Sequence, residues 1–380
     1  MPIFTELPPL SLYIHLPWCV RKCPYCDFNS HEAKTDLPEE LYVAALLQNL
    51  DHYLALIADR PLISIFFGGG TPSLFSGKSI GQILNGIAER LDLAPQIEIT
   101  LEANPGTIDQ KGFHAFREAG VNRLSLGIQS LQNDKLQALG RIHDADNAMR
   151  AITLAREAGF DNFNLDLMYG LPNQSLADAL DDLNKALSFS PAHLSWYQLT
   201  IEPNTFFYRH TPSLPPDDDL WEMQLAGQEI LARAGLQQYE VSAYARQDRQ
   251  CRHNYNYWSF GDYLGIGAGA HSKLTLASGE VTRFAQVKHP NDYLNPIKRQ
   301  VEIKILSDRD LMFEFMLNAL RLTDGVPLSL FQARTGLSVS QIESVMRTAR
   351  ERGLLLDDDE RICASVLGQK FLNDLVGMFL

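Results

Sequence analysis

The chain has 380 residues, 45% of them hydrophobic, enough for one large domain and a smaller one. A net charge of −13, with no block of basic residues to offset it, disfavours binding to nucleic-acid phosphates. The five cysteines, three of them clustered, do not form a disulfide framework. No apolar run approaches a membrane span, and residues 1–9 carry no basic residue of a signal or transit peptide, so a soluble cytoplasmic protein is expected.

A short apolar strand, Ser11 to Leu16, leads into Cys19, Cys23 and Cys26. A helix is predicted from about Pro38 to Ala58, with Asp36 near its start and Val43, Leu47, Leu50, Leu54 and Ile57 as its buried stripe. Strand Ile63 to Phe67 then runs into Gly68-Gly69-Gly70-Thr71. Alternation continues with helix Ser79 to Leu91, strand Ile97 to Glu102, helix Asp109 to Ala119 and strand Arg123 to Gly127. It ends with a helix within Asp144 to Ala158, strand Asn162 to Met168, a helix within Leu176 to Ser188 and strand His193 to Leu199. Gly120 and Gly159 stand where helices should stop. Strand and helix alternating about six times means parallel strands with right-handed crossovers. Glu102, Gln129 and Asp166 fall near strand C-termini, as Cys19 and Gly69 do, which favours an α/β partial (βα)6 TIM-like barrel over an open sheet.

A helix of about Leu220 to Ala234 and a strand Tyr239 to Ala243 follow. The aromatic stretch Cys251 to Trp258 comes next, and Gly261, Gly265, Gly267 and Gly269 imply irregular backbone after it. From about Leu311, three helices and a hairpin starting at Gly353-Leu354-Leu355-Leu356 describe a small winged-helix-like α+β domain, short of the cations that DNA contacts need. The expected division is 1–240 for the barrel, 241–305 for a connecting region and 306–380 for the C-terminal domain.

Cys19, Cys23 and Cys26 stand at C-x3-C-x2-C spacing. Three thiolates are one ligand short of a closed 4Fe-4S shell, so one iron would keep an open position. A zinc site completed by His15 or His31 is the other reading of the same residues. The spacing, with Tyr25 before the last cysteine, resembles the radical S-adenosylmethionine (SAM) superfamily. That resemblance implies a 4Fe-4S cluster that chelates SAM and, given an electron donor, splits it to a 5′-deoxyadenosyl radical. It also implies a SAM site made of the glycine motif (Gly69, Gly70, Thr71), Glu102, Gln129, Arg141 in Gly140-Arg141-Ile142-His143, and Asp166.

Tyr13 and Tyr25 match SAM-contacting aromatics of the oxygen-independent coproporphyrinogen III oxidases, the HemN family. The sequences Tyr-Ile-His-Leu-Pro-Trp-Cys, Cys-Pro-Tyr-Cys-Asp-Phe and His253-Asn254-Tyr255-Asn256-Tyr257-Trp258 most resemble the related HemW family of haem chaperones. The last stretch fits that family's H-N-x-x-Y-W motif. It implies haem as cargo, His253 as the candidate haem contact, and haem-accepting apo-proteins as partners. Two features depart from the oxidases: Phe28 stands where they carry a further cysteine, and only eighteen residues precede Cys19. Both favour a chaperone over an enzyme that decarboxylates coproporphyrinogen III, the alternative reading.

Overall fold

The computed structural model describes residues 4–34, 36–57, 59–299 and 301–380. Six parallel strands form its centre: β1 (Leu10–Leu16), β2 (Leu62–Gly69), β3 (Leu93–Ala103), β4 (Arg123–Gln129), β5 (Phe163–Tyr169) and β6 (His193–Gln198). They pair in sequence order, as expected when each strand is followed by a crossover helix. The crossovers are α1 (Glu39–Tyr53), α2 (Gly77–Ala88), α3 (Gln110–Ala119), α4 (Ala145–Glu157) and α5 (Leu176–Ser188). This is the partial α/β barrel that the alternation predicts.

Local chemistry fixes most boundaries. Asp109, Asp144 and Ser175 each accept a backbone N–H at the start of α3, α4 and α5. Gly120 ends α3 in the left-handed conformation at φ 110°, and Gly159 follows α4 at φ 86°. Helix α1 is the exception. Pro38 holds its cap position without a side-chain bond, and the helix tightens to a 3-10 turn at Leu54–Leu56. The predicted end at Ala58 lies outside the described residues.

The sheet does not stop at six strands. After α6 (Asp217–Arg233), β7 (Gln237–Glu240) and β8 (Ala243–Ala245) extend it antiparallel beyond β6. At the other edge, β9 (Asp262–Ile266) lies parallel to β1. Strands β10 (His271–Thr275), β11 (Val281–Ala285) and β12 (Lys304–Ile305) continue from it antiparallel. Residues 243–305 thus contribute strands to both edges of one twelve-stranded sheet. The glycine-rich backbone after residue 260 is more regular than its composition suggests. Gly265 sits inside β9 because a Cβ there would come within 2.1 Å of the His271 carbonyl oxygen, while Gly267 and Gly269 take positive φ just beyond the strand.

Between the two edges, α7 (Arg252–Trp258) packs against β1, β2 and β9. The sequence assigned no helix here. Helix α7 has no side-chain N-cap; the buried Glu98 carboxylate instead accepts the His253 backbone N–H at 3.2 Å and the Cys251 thiol at 3.6 Å.

The C-terminal unit holds α8 (Asp308–Ala319), α9 (Leu328–Thr335) and α10 (Glu343–Glu351) around its own apolar cluster. Phe315 stacks edge-on to both Phe260 and Phe331, which ties this cluster to the sheet. The predicted hairpin is reduced to a single bridge, Leu355 to Ala364, and Arg361–Ile362 pairs instead with Val326–Pro327. The reason is local: the amides of Leu354 and Leu355 both cap α10 through the Ala349 carbonyl, leaving Leu356 to bond Cys363. Among the described residues no helix is long and apolar enough to cross a membrane.

Candidate functional site

The three cysteines lie directly past the C-terminal end of β1. Cys19 closes a two-residue strand, Trp18–Cys19, that pairs with His31–Glu32, and the Cys26 amide bonds the Cys23 carbonyl at 3.1 Å in a tight turn. All three are half-buried free thiols. Burial raises the Cys19 thiol, opposed by hydroxyl contacts from Thr71 and Ser30. Burial likewise raises Cys26, opposed by the Phe28 backbone. Among the described residues no three His, Cys, Asp or Glu side chains gather round a point that one metal ion could fill. A cubane does not ask for that, since each thiolate binds a different iron.

The glycine run closes against this loop. Gly69 has φ 115°, and a Cβ there would come within 2.6 Å of the His15 ring. A Cβ on Gly70 would meet the Trp18 carbonyl oxygen at 2.5 Å, and the Thr71 amide bonds that same carbonyl at 2.7 Å. These residues are therefore needed for packing strand β2 onto the cysteine segment, apart from any ligand.

Arg141 reaches the same place from the loop after the short helix Asn133–Ala138. Its Nη1 donates to Cys23 Sγ at 3.5 Å and its Nη2 to the Gly127 carbonyl at 2.8 Å, while Nε is buried without a partner among the described residues. Gln129 ends β4 at φ 68°, a left-handed conformation for a side chain with a Cβ, and its Oε1 accepts from Tyr197 Oη at 2.7 Å. Asp166 lies mid-strand in β5 rather than past its end. It accepts from Ser125 at 2.9 Å and Asn164 at 2.7 Å, and burial raises its carboxyl. Tyr25 faces Phe207 at 6.4 Å between ring centres.

Glu102 is the most perturbed carboxylate of the rim. It accepts the Gly69 amide at 3.3 Å; burial, with the charge of Asp166 adding to it, pushes its carboxyl up to about 8. The folded chain therefore holds a proton that the unfolded chain, titrating at the ordinary 4.5, has released, so stability falls as pH rises between those two values. Glu102→Gln should remove that part of the slope. We expect the ligand-free variant to gain on wild type from about pH 5 to about pH 8, by urea denaturation at the two pH values. An unchanged difference would show that Glu102 is not desolvated.

A cavity of about 860 Å³ opens beside this rim. Tyr13, Gly69 and Glu102 line one side, and His253, Tyr257 and Trp258 of α7 line another. Gly70, Thr71, Tyr25, Gln129, Arg141 and Asp166 do not reach it. Tyr255 points to solvent at 41% exposure. Tyr13 donates to His15 Nδ1 at 2.9 Å, since His15 Nε2 must donate to the Asn29 carbonyl at 2.8 Å. The same logic fixes His253. Ser64 donates to Ser11 at 2.8 Å, so its oxygen accepts from His253 Nδ1–H at 3.1 Å. Among the described residues His253 Nε2 has no hydrogen-bond partner, so its lone pair is unengaged. Burial, and then the Arg123 charge, hold the ring neutral by pushing it down to about 3. The Phe66 ring lies tilted 5.0 Å from that of His253 between ring centres and also lines the cavity. The sequence reading passed over Phe66, although it sits two residues before Gly68, the alternation that keeps side chains on one face of a strand.

The radical SAM superfamily model matches residues 13–186, and the HemN C-terminal domain model residues 306–371. The "Heme chaperone HemW" of Haemophilus influenzae is 52% identical over 379 residues, covering 99% of each chain. That of Escherichia coli is 48% identical over 378 residues, again covering 99% of each. Among solved structures, Escherichia coli coproporphyrinogen III oxidase (HemN) superposes with a TM-score of 0.82 over 98% of this chain and 90% of that one. At 22% identity this likeness speaks for the fold. Full-length identity of this order, on a half-barrel whose first strand leads into the cysteine turn, means that the chain belongs to the radical SAM superfamily and, within it, to the HemW family.

Proposed function

We propose that this protein is a haem chaperone, which binds haem in the cavity beside α7 and passes it to haem-accepting apo-proteins. The observation that carries this is His253: a neutral imidazole with Nδ1–H engaged and the Nε2 lone pair unengaged, in the wall of a cavity bordered by aromatic rings. A hydrogen bond on one ring nitrogen orients the other for iron and increases its basicity. The cavity is partly open to solvent, which suits a cargo that must leave again.

Cys19, Cys23 and Cys26 would hold a 4Fe-4S cluster, and the donor set fits one: three unbridged thiols on one turn with no fourth beside them. SAM would lie along the rim. The buried, unpartnered Arg141 Nε suits the methionine carboxylate, and Glu102 suits its ammonium. Tyr13, Tyr25, Gly69, Gly70, Thr71, Gln129 and Asp166 complete that site in this reading. When bound, cluster and SAM supply radical chemistry if an electron donor is present. A cytoplasmic setting keeps the thiols reduced. The residues of the chain position these groups and exclude water.

Haem titration followed by absorbance, with iron and sulfide analysis in parallel, tests the reading. His253→Ala should weaken haem binding about tenfold or more, as loss of an iron ligand does, and leave the cluster intact. Wild-type affinity and spectrum in the variant would remove His253 as ligand. Turnover of coproporphyrinogen III by the reconstituted protein would favour the oxidase reading instead.

A further inference from the structure

The cavity beside α7 is not uniform from end to end. Its inner wall is apolar and aromatic, with Phe66, Trp258 and the buried Tyr263 around His253. Its outer end is polar and cationic: Lys22 and Lys288 both line it and both are solvent-exposed. The two lysines flank one short segment. Lys22 Nζ donates to the Phe28 carbonyl at 3.0 Å, and Asn29 Nδ2 donates to the Lys288 carbonyl at 2.9 Å. His31 and His271 line the cavity as well.

The charge here runs against that of the chain, in which 46 acidic residues outnumber 33 basic ones. Among the described residues, neither Lys22 nor Lys288 is in an ion pair, although most exposed lysines with a named contact elsewhere in the chain face a carboxylate, as Lys185 faces Asp181 and Lys298 faces Asp292. Two carboxyl groups also line the cavity. Glu102 lies on the rim side with its carboxyl raised by burial, and Asp27 lies among the lining residues with the lysines. An occupant that satisfies both ends is a flat apolar body with anionic groups on one edge.

We infer that the outer end of the cavity is a carboxylate-binding site, in which the ammonium groups of Lys22 and Lys288 take the two propionates of a tetrapyrrole whose plane lies against the aromatic inner wall. This rests on the proposed haem reading and adds to it an orientation: propionates outward, iron towards His253. The lysines then set which edge of the macrocycle enters first. They also leave the anionic edge at the mouth, where an acceptor protein would meet it.

The test compares haem with haem dimethyl ester, in which both propionates are methylated, on the reconstituted wild type and on Lys22→Ala/Lys288→Ala. Two exposed charge pairs together change affinity by about tenfold. Wild type should bind haem about tenfold tighter than the ester, at low salt, and the double variant should bind both equally and at the ester's affinity. Lys288→Glu alone, far in sequence from the cysteines, should weaken haem at least as much without loss of iron, which separates the effect from any damage to the cluster turn beside Lys22. If wild type binds haem and ester alike, or if the variants keep wild-type haem affinity, the carboxylate site is refuted while the haem reading stands. If wild type binds neither, the haem reading itself fails and takes this inference with it.

Discussion

Alanine at Cys19, Cys23 or Cys26 should each reduce cluster iron and sulfide to background, while alanine at Cys251 or Cys363 should leave both at the wild-type level. The five thiols differ in surroundings more than in sequence context. The first three sit half-buried at the mouth of the barrel, where a cluster can be delivered. The Cys251 thiol is 1% exposed, donates towards Glu98, and is pushed up to about 12 by burial, which opposes the thiolate that iron requires. Cys363 is buried in the C-terminal unit with its thiol against the Thr323 carbonyl at 3.4 Å. Iron and sulfide assays after anaerobic reconstitution read the outcome directly. A Cys251→Ala protein without cluster would overturn the three-ligand set, and a Cys23→Ala protein with full iron would do the same.

The second large effect is on stability. Asp262→Ala should destabilise the protein by about 3–5 kcal/mol, the usual consequence of removing one partner from a buried ion pair. Asp262 is fully buried at the start of β9 and accepts from four groups: Arg60 Nη1 at 2.6 Å, Lys273 Nζ at 2.8 Å, and the Thr275 amide and hydroxyl at 2.8 and 3.0 Å. Lys273 is 1% exposed, so without Asp262 its ammonium has no water to turn to. Among the described residues the Phe260 ring, 4.2 Å from Nζ, remains to face it. Arg60 is less enclosed and bonds three backbone carbonyls as well, so Arg60→Ala should cost less. Urea unfolding followed by tryptophan fluorescence distinguishes the two; equal midpoints for Asp262→Ala and wild type would mean the site is hydrated.

The half-barrel was legible because its signals are local. Helix α5 occupies the predicted residues, Leu176–Ser188, since Ser175 and Asp178 form a reciprocal cap ahead of an apolar stripe. The cysteine turn, the glycine run and Glu102 could be read for the same reason: each is a short motif at the end of a strand. Helix α7 could not. It is seven aromatic-rich residues without a capping side chain, and contacts with Glu98, Ser64 and Ser11, more than a hundred residues away in sequence, hold it. Strand β9 was hidden by Gly265 within it and the glycines around it, whose weak strand preference is overridden by pairing with β1. The cavity joins α7 and β9 to the cysteine loop, β2 and Lys288, so its composition had no counterpart in any window of sequence.

The position of β1 has a bearing on how the protein is made. This strand carries the chain into the cysteine turn, yet it is an inner strand with β2 on one side and β9 on the other, and Ile14 meets Ile266. One flank of the strand therefore stays unpaired during synthesis until some 250 further residues have left the ribosome. Contacts this distant in sequence form late, because the intervening loop must close first. The cysteine turn inherits that delay: the strand that leads into it gains both neighbours only once the chain has grown past Ile266.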